Sequence, residues 1–256
     1  MTPDLDLLTS NSTSIFQLEL TTNCNLRCVY CAVSLPEYKG QDLAVDDIGQ
    51  LAEMMRARNV QLVQINGHGE TTSMPNWQMV VHELLKNGFP LALISNFARH
   101  FSDEELETLA CLSQIQISVD THRPQLLRKI RRRVDLGTIL VNLAGVRMKA
   151  SALGRPSPRF SWSCVLTDIV APDFVDYVRF GLACGVHDFF VCNLTEYDDL
   201  IASGTVGHVT KMDIRQLAEL SANLDKAKEL VAQAGGCLDI QAGLTDCIRE
   251  KLEVMQ

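Results

Sequence analysis

The stretch Thr21-Thr22-Asn23-Cys24-Asn25-Leu26-Arg27-Cys28-Val29-Tyr30-Cys31 decides how the rest of this chain is interpreted. It places Cys24, Cys28 and Cys31 in a CxxxCxxC pattern on one short loop. Three thiolates suit a cubane iron–sulfur cluster that keeps one iron open for a ligand, because a closed cluster would use four. Zinc is the alternative, although it needs a fourth protein ligand and usually uses CxxC pairs. The alternating residues 16–20 predict a strand, so the loop follows a strand's carboxyl end.

Composition favours one large α/β domain of a cytoplasmic protein. The chain has 256 residues and a net charge of −8, which argues against a protein that mainly grips nucleic acid or an anionic membrane. The basic residues 128–133 are an exception, interpreted as a solvated helix face or loop. No segment resembles a signal peptide or approaches the about 18 apolar residues of a membrane span. Nine cysteines without a secretory signal indicate a reducing compartment.

Short apolar runs alternate with amphipathic segments along the chain, which indicates a parallel sheet with crossover helices. Six β/α units are predicted, fewer than the eight of a closed barrel. Ser102 and Glu105 form a predicted capping box for the helix after the third strand. Past a polar loop at residues 195–210, a long helix is expected from Ile214 to Val231. A short strand at residues 238–240 and a final helix then form a candidate plug for one end of the barrel.

The cysteine spacing, Tyr30 before the last cysteine and the preceding strand resemble the radical S-adenosylmethionine (radical SAM) superfamily. The resemblance covers about residues 15–195 and implies a partial (β/α)6 TIM-like barrel with a helical C-terminal extension. It implies a [4Fe–4S] cluster on Cys24, Cys28 and Cys31 whose open iron binds SAM. Reductive cleavage of SAM would then give a 5′-deoxyadenosyl radical that takes a hydrogen atom from the substrate. The expected division is an irregular segment at 1–14, a core at 15–195 and a mainly helical extension packed on the core at 196–256.

A glycine turn, Gly67-His68-Gly69-Glu70, follows the second predicted strand. Glycines there let the backbone approach a ligand, and a carboxylate accepts hydrogen bonds from an ammonium group. The turn resembles the family's Gly-Gly-Glu motif, which implies that it binds the amino group of SAM. Thr71 stands where the family usually has proline. His68 is either an exposed turn residue or a group near SAM or substrate.

Polar pairs follow the third and fourth predicted strands. Ser95-Asn96 resembles the family's Thr-Asn-Gly, with Phe97 in place of glycine. Ser118-Val119-Asp120 resembles the Ser-x-Asp-Gly of the branch that includes peptide-modifying maturases and the molybdenum-cofactor cyclase, with Thr121 in place of glycine. The resemblance implies that the serine and nearby polar groups reach the ribose or carboxylate of SAM.

An arginine after the fourth strand is a candidate partner for the SAM carboxylate, because the guanidinium fork binds a carboxylate in a bidentate manner. The resemblance implies Arg131 or Arg132 for this role. After the sixth strand, Asn193 and Glu196 are candidate substrate or SAM contacts at the catalytic rim. Ser161 and Ser163 share one face of the fifth strand and are interpreted as packed hydroxyls.

The sequence therefore predicts a radical SAM enzyme acting on a peptide side chain or a small natural-product intermediate. Its expected partners are that substrate and an electron donor such as flavodoxin or ferredoxin. One alternative is an activating enzyme that generates a glycyl radical on a partner protein, and another is a zinc-binding interaction module. Cys164, Cys184 and Cys192 are interpreted as core residues. Cys237 and Cys247 are too few to hold an auxiliary cluster in a C-terminal domain.

Overall fold

A computed structural model describes residues 14–44, 48–197, 200 and 204–254. Except for Ser14, the predicted irregular segment 1–14 lies outside the described residues, as do positions 198, 199 and 201–203 of the predicted polar loop. The strands are β1 (Ile15–Leu18), β2 (Leu62–Ile65), β3 (Leu91–Ser95), β4 (Gln114–Ser118), β5 (Arg159–Val165), β6 (Asp188–Cys192) and β7 (Cys237–Ile240). The helices are α1 (Ile48–Ala57), α2 (Trp77–Lys86), α3 (Asp103–Ala110), α4 (Pro124–Arg131), α5 (Leu136–Ala152), α6 (Phe174–Ala183), α7 (Ile214–Gln233) and α8 (Leu244–Val254).

The strands follow one another in the sheet in chain order, from β1 to β7. Where the register is defined, neighbouring strands run parallel, as in β1 with β2 and β5 with β6. Alternation of parallel strands and helices confirms the predicted α/β class. Among the described strands, β1 and β7 stand at the two ends of the sheet order, so the sheet is open, as predicted. The short strand expected near residues 238–240 is not a plug: it pairs parallel with β6, from Asp188 opposite Cys237 to Val191 opposite Ile240. It is thus the seventh strand of the sheet.

The chain divides into two compact units. The first consists of the described parts of Met1–Asn25, Tyr38–Gln116 and Gly137–Arg159, and the second of Leu26–Glu37, Ile117–Leu136 and the described parts of Phe160–Gln256. The cysteine loop passes from the first unit to the second between Cys24 and Cys28.

In the first unit, α2 buries one apolar face at helical spacing: Trp77, Val80, Val81 and Leu84. The predicted capping box of α3 is confirmed, because Ser102 Oγ accepts from the Glu105 backbone while the Glu105 carboxylate accepts from the Ser102 N–H. This cap satisfies helix N–H groups that have no partner within the helix. The cap therefore fixes where α3 begins after the loop that follows β3.

In the second unit, Trp162 of β5 is completely buried among aromatic rings. Its ring centroid lies 5.7 Å from that of Tyr177 on α6 and 6.4 Å from that of Phe189 on β6. Helix α7 packs against α6 and β7. The chain's described helices include none with the length and apolar character needed to cross a membrane.

Candidate active site

The cysteine loop, residues 21–31, presents three thiols and no disulfide. Cys28 is buried, whereas Cys24 and Cys31 are partly exposed. The Ser34 hydroxyl donates to the Cys28 carbonyl at 2.7 Å, and the Ser34 N–H donates to the Cys31 carbonyl at 2.8 Å. These two bonds fix the backbone that carries Cys28 and Cys31.

The first half of the cysteine loop is held within the first unit. The Asn96 amide donates to Asn25 Oδ1 at 2.8 Å and lies 3.9 Å from Cys24 Sγ. The Glu70 N–H donates to the Asn23 carbonyl at 2.8 Å. Residues predicted to form the SAM site after β2 and β3 therefore contact the loop that carries the first cysteine.

The Glu70 carboxylate is buried, with only 2% of the residue exposed. Its Oε1 accepts from the Thr72 N–H at 3.1 Å, the Thr72 hydroxyl at 2.7 Å and the Ser95 hydroxyl at 2.7 Å. Its Oε2 accepts from the Asn96 N–H at 2.7 Å. A carboxylate offers about four acceptor positions, so protein donors use most of this capacity. We call Glu70, Thr72, Ser95 and Asn96 the Glu70 cluster.

The two glycines of the turn make room for protein atoms. A Cβ atom at Gly69 would overlap the backbone carbonyl oxygens of Thr21 and Asn23 in the cysteine loop, and one at Gly67 would overlap the Glu19 side chain. The expected neighbour of these glycines was a bound ligand. In the first unit, the neighbour that requires the absence of a side chain at Gly69 is the cysteine loop itself.

His68 lies at the surface, with 59% of its side chain exposed. Its N–H donates to Glu19 Oε1 at 2.6 Å, and its ring Nδ1 lies 3.7 Å from the same oxygen. This geometry matches the exposed-turn interpretation of His68. Glu19, just past the end of β1, is a residue that the sequence reasoning missed.

A second buried carboxylate, Asp120, organises the other half of the cysteine loop within the second unit. Its Oδ2 accepts from the Tyr30 hydroxyl at 2.7 Å and from Arg131 Nε at 2.8 Å. Its Oδ1 accepts from Arg131 Nη2 at 2.9 Å and from the Val165 N–H at 3.0 Å. We call Tyr30, Asp120 and Arg131 the Asp120 cluster.

The ionisation of this cluster follows from its burial. Burial raises the pKa of the Tyr30 hydroxyl well above its ordinary value, and the negative charge of Asp120 raises it further while Arg131 opposes both. Burial alone would lower the pKa of Arg131, but Asp120 and the other neighbours raise it well above its ordinary value. Arg131 is therefore a permanent cation paired with Asp120, and the Tyr30 hydroxyl stays protonated.

The end of α4 contacts Cys28 directly. The Cys28 Sγ lies 3.7 Å from the Arg131 carbonyl oxygen, and the Val29 N–H donates to the Ile130 carbonyl at 2.9 Å. The next two residues, Arg132 and Arg133, have φ values of 49° and 53°. Positive φ is uncommon outside glycine. The chain thus turns sharply right after the carbonyl that meets Cys28.

The remaining predicted residues have other partners in the second unit. Ser118 is half-buried as the last residue of β4. The Asn193 side chain pairs with His208 at 2.7 Å, and its N–H donates to Gln241 at 2.8 Å. Glu196 is exposed, and its hydrogen bond with Lys211 at 2.7 Å lowers the pKa of its carboxyl.

Four residues that bind predicted site residues were not predicted from the sequence. Each is a polar residue that binds a predicted site residue, and none belongs to a recognisable motif: Glu19, Thr72, His208 and Gln241. The Thr72 contact is local, since Thr72 lies two residues after Glu70 and its backbone N–H donates to the Glu70 carboxylate. The His208 and Gln241 contacts join segments far apart in the sequence, which no local pattern reveals.

The family model for the radical SAM superfamily matches residues 18–147, which is more than half of the chain. The chain belongs to the radical SAM superfamily. The match begins at the end of β1 and includes all three motif cysteines, the Glu70 cluster and the Asp120 cluster.

Curated relatives agree with this membership. The chain is 25% identical over 200 residues to a tungsten-containing aldehyde ferredoxin oxidoreductase cofactor-modifying protein of Pyrococcus furiosus, covering 74% of the chain and 55% of that protein. It is 26% identical over 233 residues to GTP 3′,8-cyclase 1 of Pseudomonas aeruginosa, covering 87% of the chain and 63% of that protein. The chain thus spans about half to two thirds of the length of these two relatives.

Solved radical SAM structures share the fold. Streptococcus suis SuiB bound to its precursor peptide SuiA has a TM-score of 0.68 at 16% identity, covering 93% of this chain and 51% of SuiB. The structure described as native anSMEcpe with bound AdoMet has a TM-score of 0.65 at 13% identity, covering 90% of this chain and 64% of that one. At these identities the likeness concerns the fold.

The thiols of the loop fit an iron–sulfur cubane better than a zinc ion. The loop offers three thiols, whereas a structural zinc ion takes four protein ligands. A zinc site needs its ligands about 2.0–2.3 Å from a single ion. In a cubane each thiolate binds a different iron, so three thiols spaced along a loop suffice when the fourth iron stays open.

Proposed function

We propose that the chain is a radical SAM enzyme that holds a [4Fe–4S] cluster through Cys24, Cys28 and Cys31. When bound, the cluster and SAM supply reductive cleavage of SAM and a 5′-deoxyadenosyl radical that takes a hydrogen atom from the substrate. The observation that carries the proposal is the anchoring of the cysteine loop by two buried carboxylates. Glu70 fixes the side of Cys24 through Asn96, and Asp120 fixes the side of Cys28 through Tyr30 and Arg131.

For the SAM site we propose the backbone of residues 67–70 together with the polar ends of β3 and β4. Glu70 Oε2, which accepts one described hydrogen bond, has the remaining acceptor capacity for the SAM ammonium group. Ser118 is proposed to reach the ribose or carboxylate of SAM. Further candidate contacts are Gly67, His68, Gly69, Ser95, Asn96 and Asn193. Tyr30 and Asp120 were predicted as contacts too, but because their polar groups bind each other and Asp120 binds Arg131, we propose that they position the cysteine loop.

Arg131 is better placed to position the site than to bind SAM. Its Nε and Nη2 atoms both bind Asp120, and only 9% of its side chain is exposed. We therefore propose that Arg131 acts through Asp120 and its own carbonyl on the loop that carries Cys28. Arg132, the other candidate, is exposed.

The proposed substrate is a peptide side chain or a small natural-product intermediate. Three likenesses support this pair of classes: SuiB is described with a precursor peptide, one curated relative is named for a GTP cyclisation, and another is named for modification of a cofactor. The proposed setting is the cytoplasm, with flavodoxin or ferredoxin as electron donor. We also propose a division into a core at 15–195 and an extension at 196–256.

The test is production of 5′-deoxyadenosine by anaerobically reconstituted protein supplied with SAM and dithionite. The proposal predicts SAM cleavage that requires all three cysteines. A protein with a complete cluster that leaves SAM intact with and without candidate peptides would contradict it. Turnover only in the presence of a large partner that acquires a glycyl radical would replace the substrate proposal with the activating-enzyme alternative.

A further inference from the structure

Five exposed cations lie on α4 or directly next to its two ends, although the chain as a whole has a net charge of −8. We call this set the basic patch: Arg123, Arg128, Lys129, Arg132 and Arg133. Arg123 pairs with Asp173 at 2.6 Å, and Arg128 lies 3.4 Å from Asp135. No carboxylate among the described residues forms an ion pair with the other three. The basic patch is therefore a local excess of positive charge on an acidic protein.

The neighbouring Arg131 does not contribute to this surface charge. Its side chain points inward and is neutralised by Asp120. The positive φ values of Arg132 and Arg133 mark the sharp turn that separates the buried arginine from the exposed ones. Such conformations are unfavourable for residues other than glycine and persist when the surroundings enforce them. The structure thus keeps Arg132 and Arg133 at the surface immediately next to a fixed internal anchor.

The segment that carries the basic patch also contacts a proposed cluster ligand. The Arg131 carbonyl meets Cys28 Sγ at 3.7 Å, and the Ile130 carbonyl accepts from the Val29 N–H at 2.9 Å. The Val29 hydrogen bond does not depend on the thiol hydrogen, which a cluster ligand has lost, so a short bonded path joins the end of α4 to the residue next to Cys28. Short bonded paths favour electron transfer, since electronic coupling falls steeply with distance.

We propose that the basic patch docks an acidic electron-transfer protein that delivers electrons to the cluster through the end of α4, where the Ile130 carbonyl binds the Val29 N–H next to Cys28. This inference rests on the proposed function and names a surface for its electron donor. Complementary charge steers encounter and fixes orientation, particularly at low ionic strength. Nucleic acid shares the required negative charge, but only an electron carrier gains from a site beside Cys28. The position of the patch therefore decides between these two occupants.

The experiment compares two triple charge reversals. The patch variant is Arg128→Glu/Lys129→Glu/Arg133→Glu, and the control variant is Lys226→Glu/Lys228→Glu/Lys251→Glu. Both change the net charge equally, and the control residues are exposed on α7 and α8 of the same unit. Affinity for an acidic flavodoxin is measured calorimetrically at low salt and at about 0.5 M salt, where exposed charges are largely screened.

The patch variant should bind flavodoxin at least about tenfold more weakly than the wild type, and the control variant should bind normally. Added salt should weaken wild-type binding to a similar extent. The Cys24→Ala/Cys28→Ala/Cys31→Ala chain should retain binding at the patch, which makes this measurement independent of the loaded enzyme. Equal affinities for patch and control variants, or salt-insensitive binding, would overturn the proposal. Tighter patch-dependent binding of a short DNA duplex would assign the surface to nucleic acid instead.

A second measurement separates this inference from the proposed function. With reduced flavodoxin as donor, 5′-deoxyadenosine formation should fall in the patch variant alone. With dithionite, wild type and both variants should react equally, because a small reductant needs no docking surface. Failure of the wild type with dithionite would refute the proposed function, whereas equal flavodoxin-driven rates in all three proteins would refute only the docking site.

Discussion

Replacing Asp120 by asparagine should strongly destabilise the chain. The carboxylate accepts four hydrogen bonds, two of them from Arg131, and only 1% of Asp120 is exposed. An asparagine offers one carbonyl oxygen, and its NH₂ group would face donors. Arg131 would remain charged and buried without a counter-charge, a loss that typically costs about 3–5 kcal/mol. That is a large share of the about 5–15 kcal/mol that stabilises most folded proteins.

Urea unfolding of the reduced protein, followed by tryptophan fluorescence, measures this loss, since Trp162 is buried in the same unit. The matched control is Asp135→Asn, which removes the exposed partner of Arg128 and should cost below about 1 kcal/mol. The double variant Asp120→Asn/Arg131→Met should be more stable than Asp120→Asn, because it removes the unpaired cation. A cost for Asp120→Asn no greater than the control's, or a double variant less stable than the single one, would refute the reasoning.

Three further changes test other parts of the account. Cys24→Ala, Cys28→Ala and Cys31→Ala should each abolish 5′-deoxyadenosine formation, because two thiolates cannot hold the cubane with one iron open. Wild-type turnover in any of these variants would reject the ligand assignment. Glu70→Gln should weaken SAM binding in a calorimetric titration by about 1.5–3 kcal/mol while leaving iron content unchanged, with the exposed Glu53→Gln as control. Unchanged SAM affinity would remove Glu70 from the site. Burial raises the pKa of Cys192 to about 11, so about 0.1% of it is thiolate at pH 8. Peptide mass spectrometry should show that iodoacetamide labels Cys192 far more slowly than the exposed Cys237 at pH 8. The labelling rate of Cys192 should rise as the pH approaches 11. Equal labelling rates of the two cysteines at pH 8 would show that the Cys192 thiol is not shielded.

Local patterns made much of the fold predictable. Buried strands such as β2 are short, mainly apolar runs, and the spacing of Ser102 and Glu105 predicts the capping box of α3. The seventh strand was seen in the sequence but misplaced, because whether a four-residue strand joins a sheet depends on its neighbour β6. Its half-exposed side chains gave no alternation strong enough to decide.

The site was predictable where chemistry and spacing coincide, as in the three cysteines. It was not predictable where a residue's partner lies far along the chain. Nothing local in the sequence reveals that Asp120 binds Tyr30, 90 positions away, or that the Gly69 backbone is pressed against the cysteine loop. For the same reason the basic segment 128–133 read as an ordinary solvated face, although its inner residue Arg131 is buried.

The central claim is one SAM-binding cluster on three cysteines, and the metal content of the reconstituted protein tests it most directly. Iron, acid-labile sulfide and zinc are measured on anaerobically reconstituted wild-type chain and on the Cys24→Ala/Cys28→Ala/Cys31→Ala variant. One [4Fe–4S] cluster on these cysteines gives about four irons and about four sulfides per wild-type chain, and neither in the variant. One zinc per chain lost with the three cysteines would contradict it. A count near eight irons, lowered by Cys237→Ala or Cys247→Ala but not by Cys111→Ala, would contradict the single cluster.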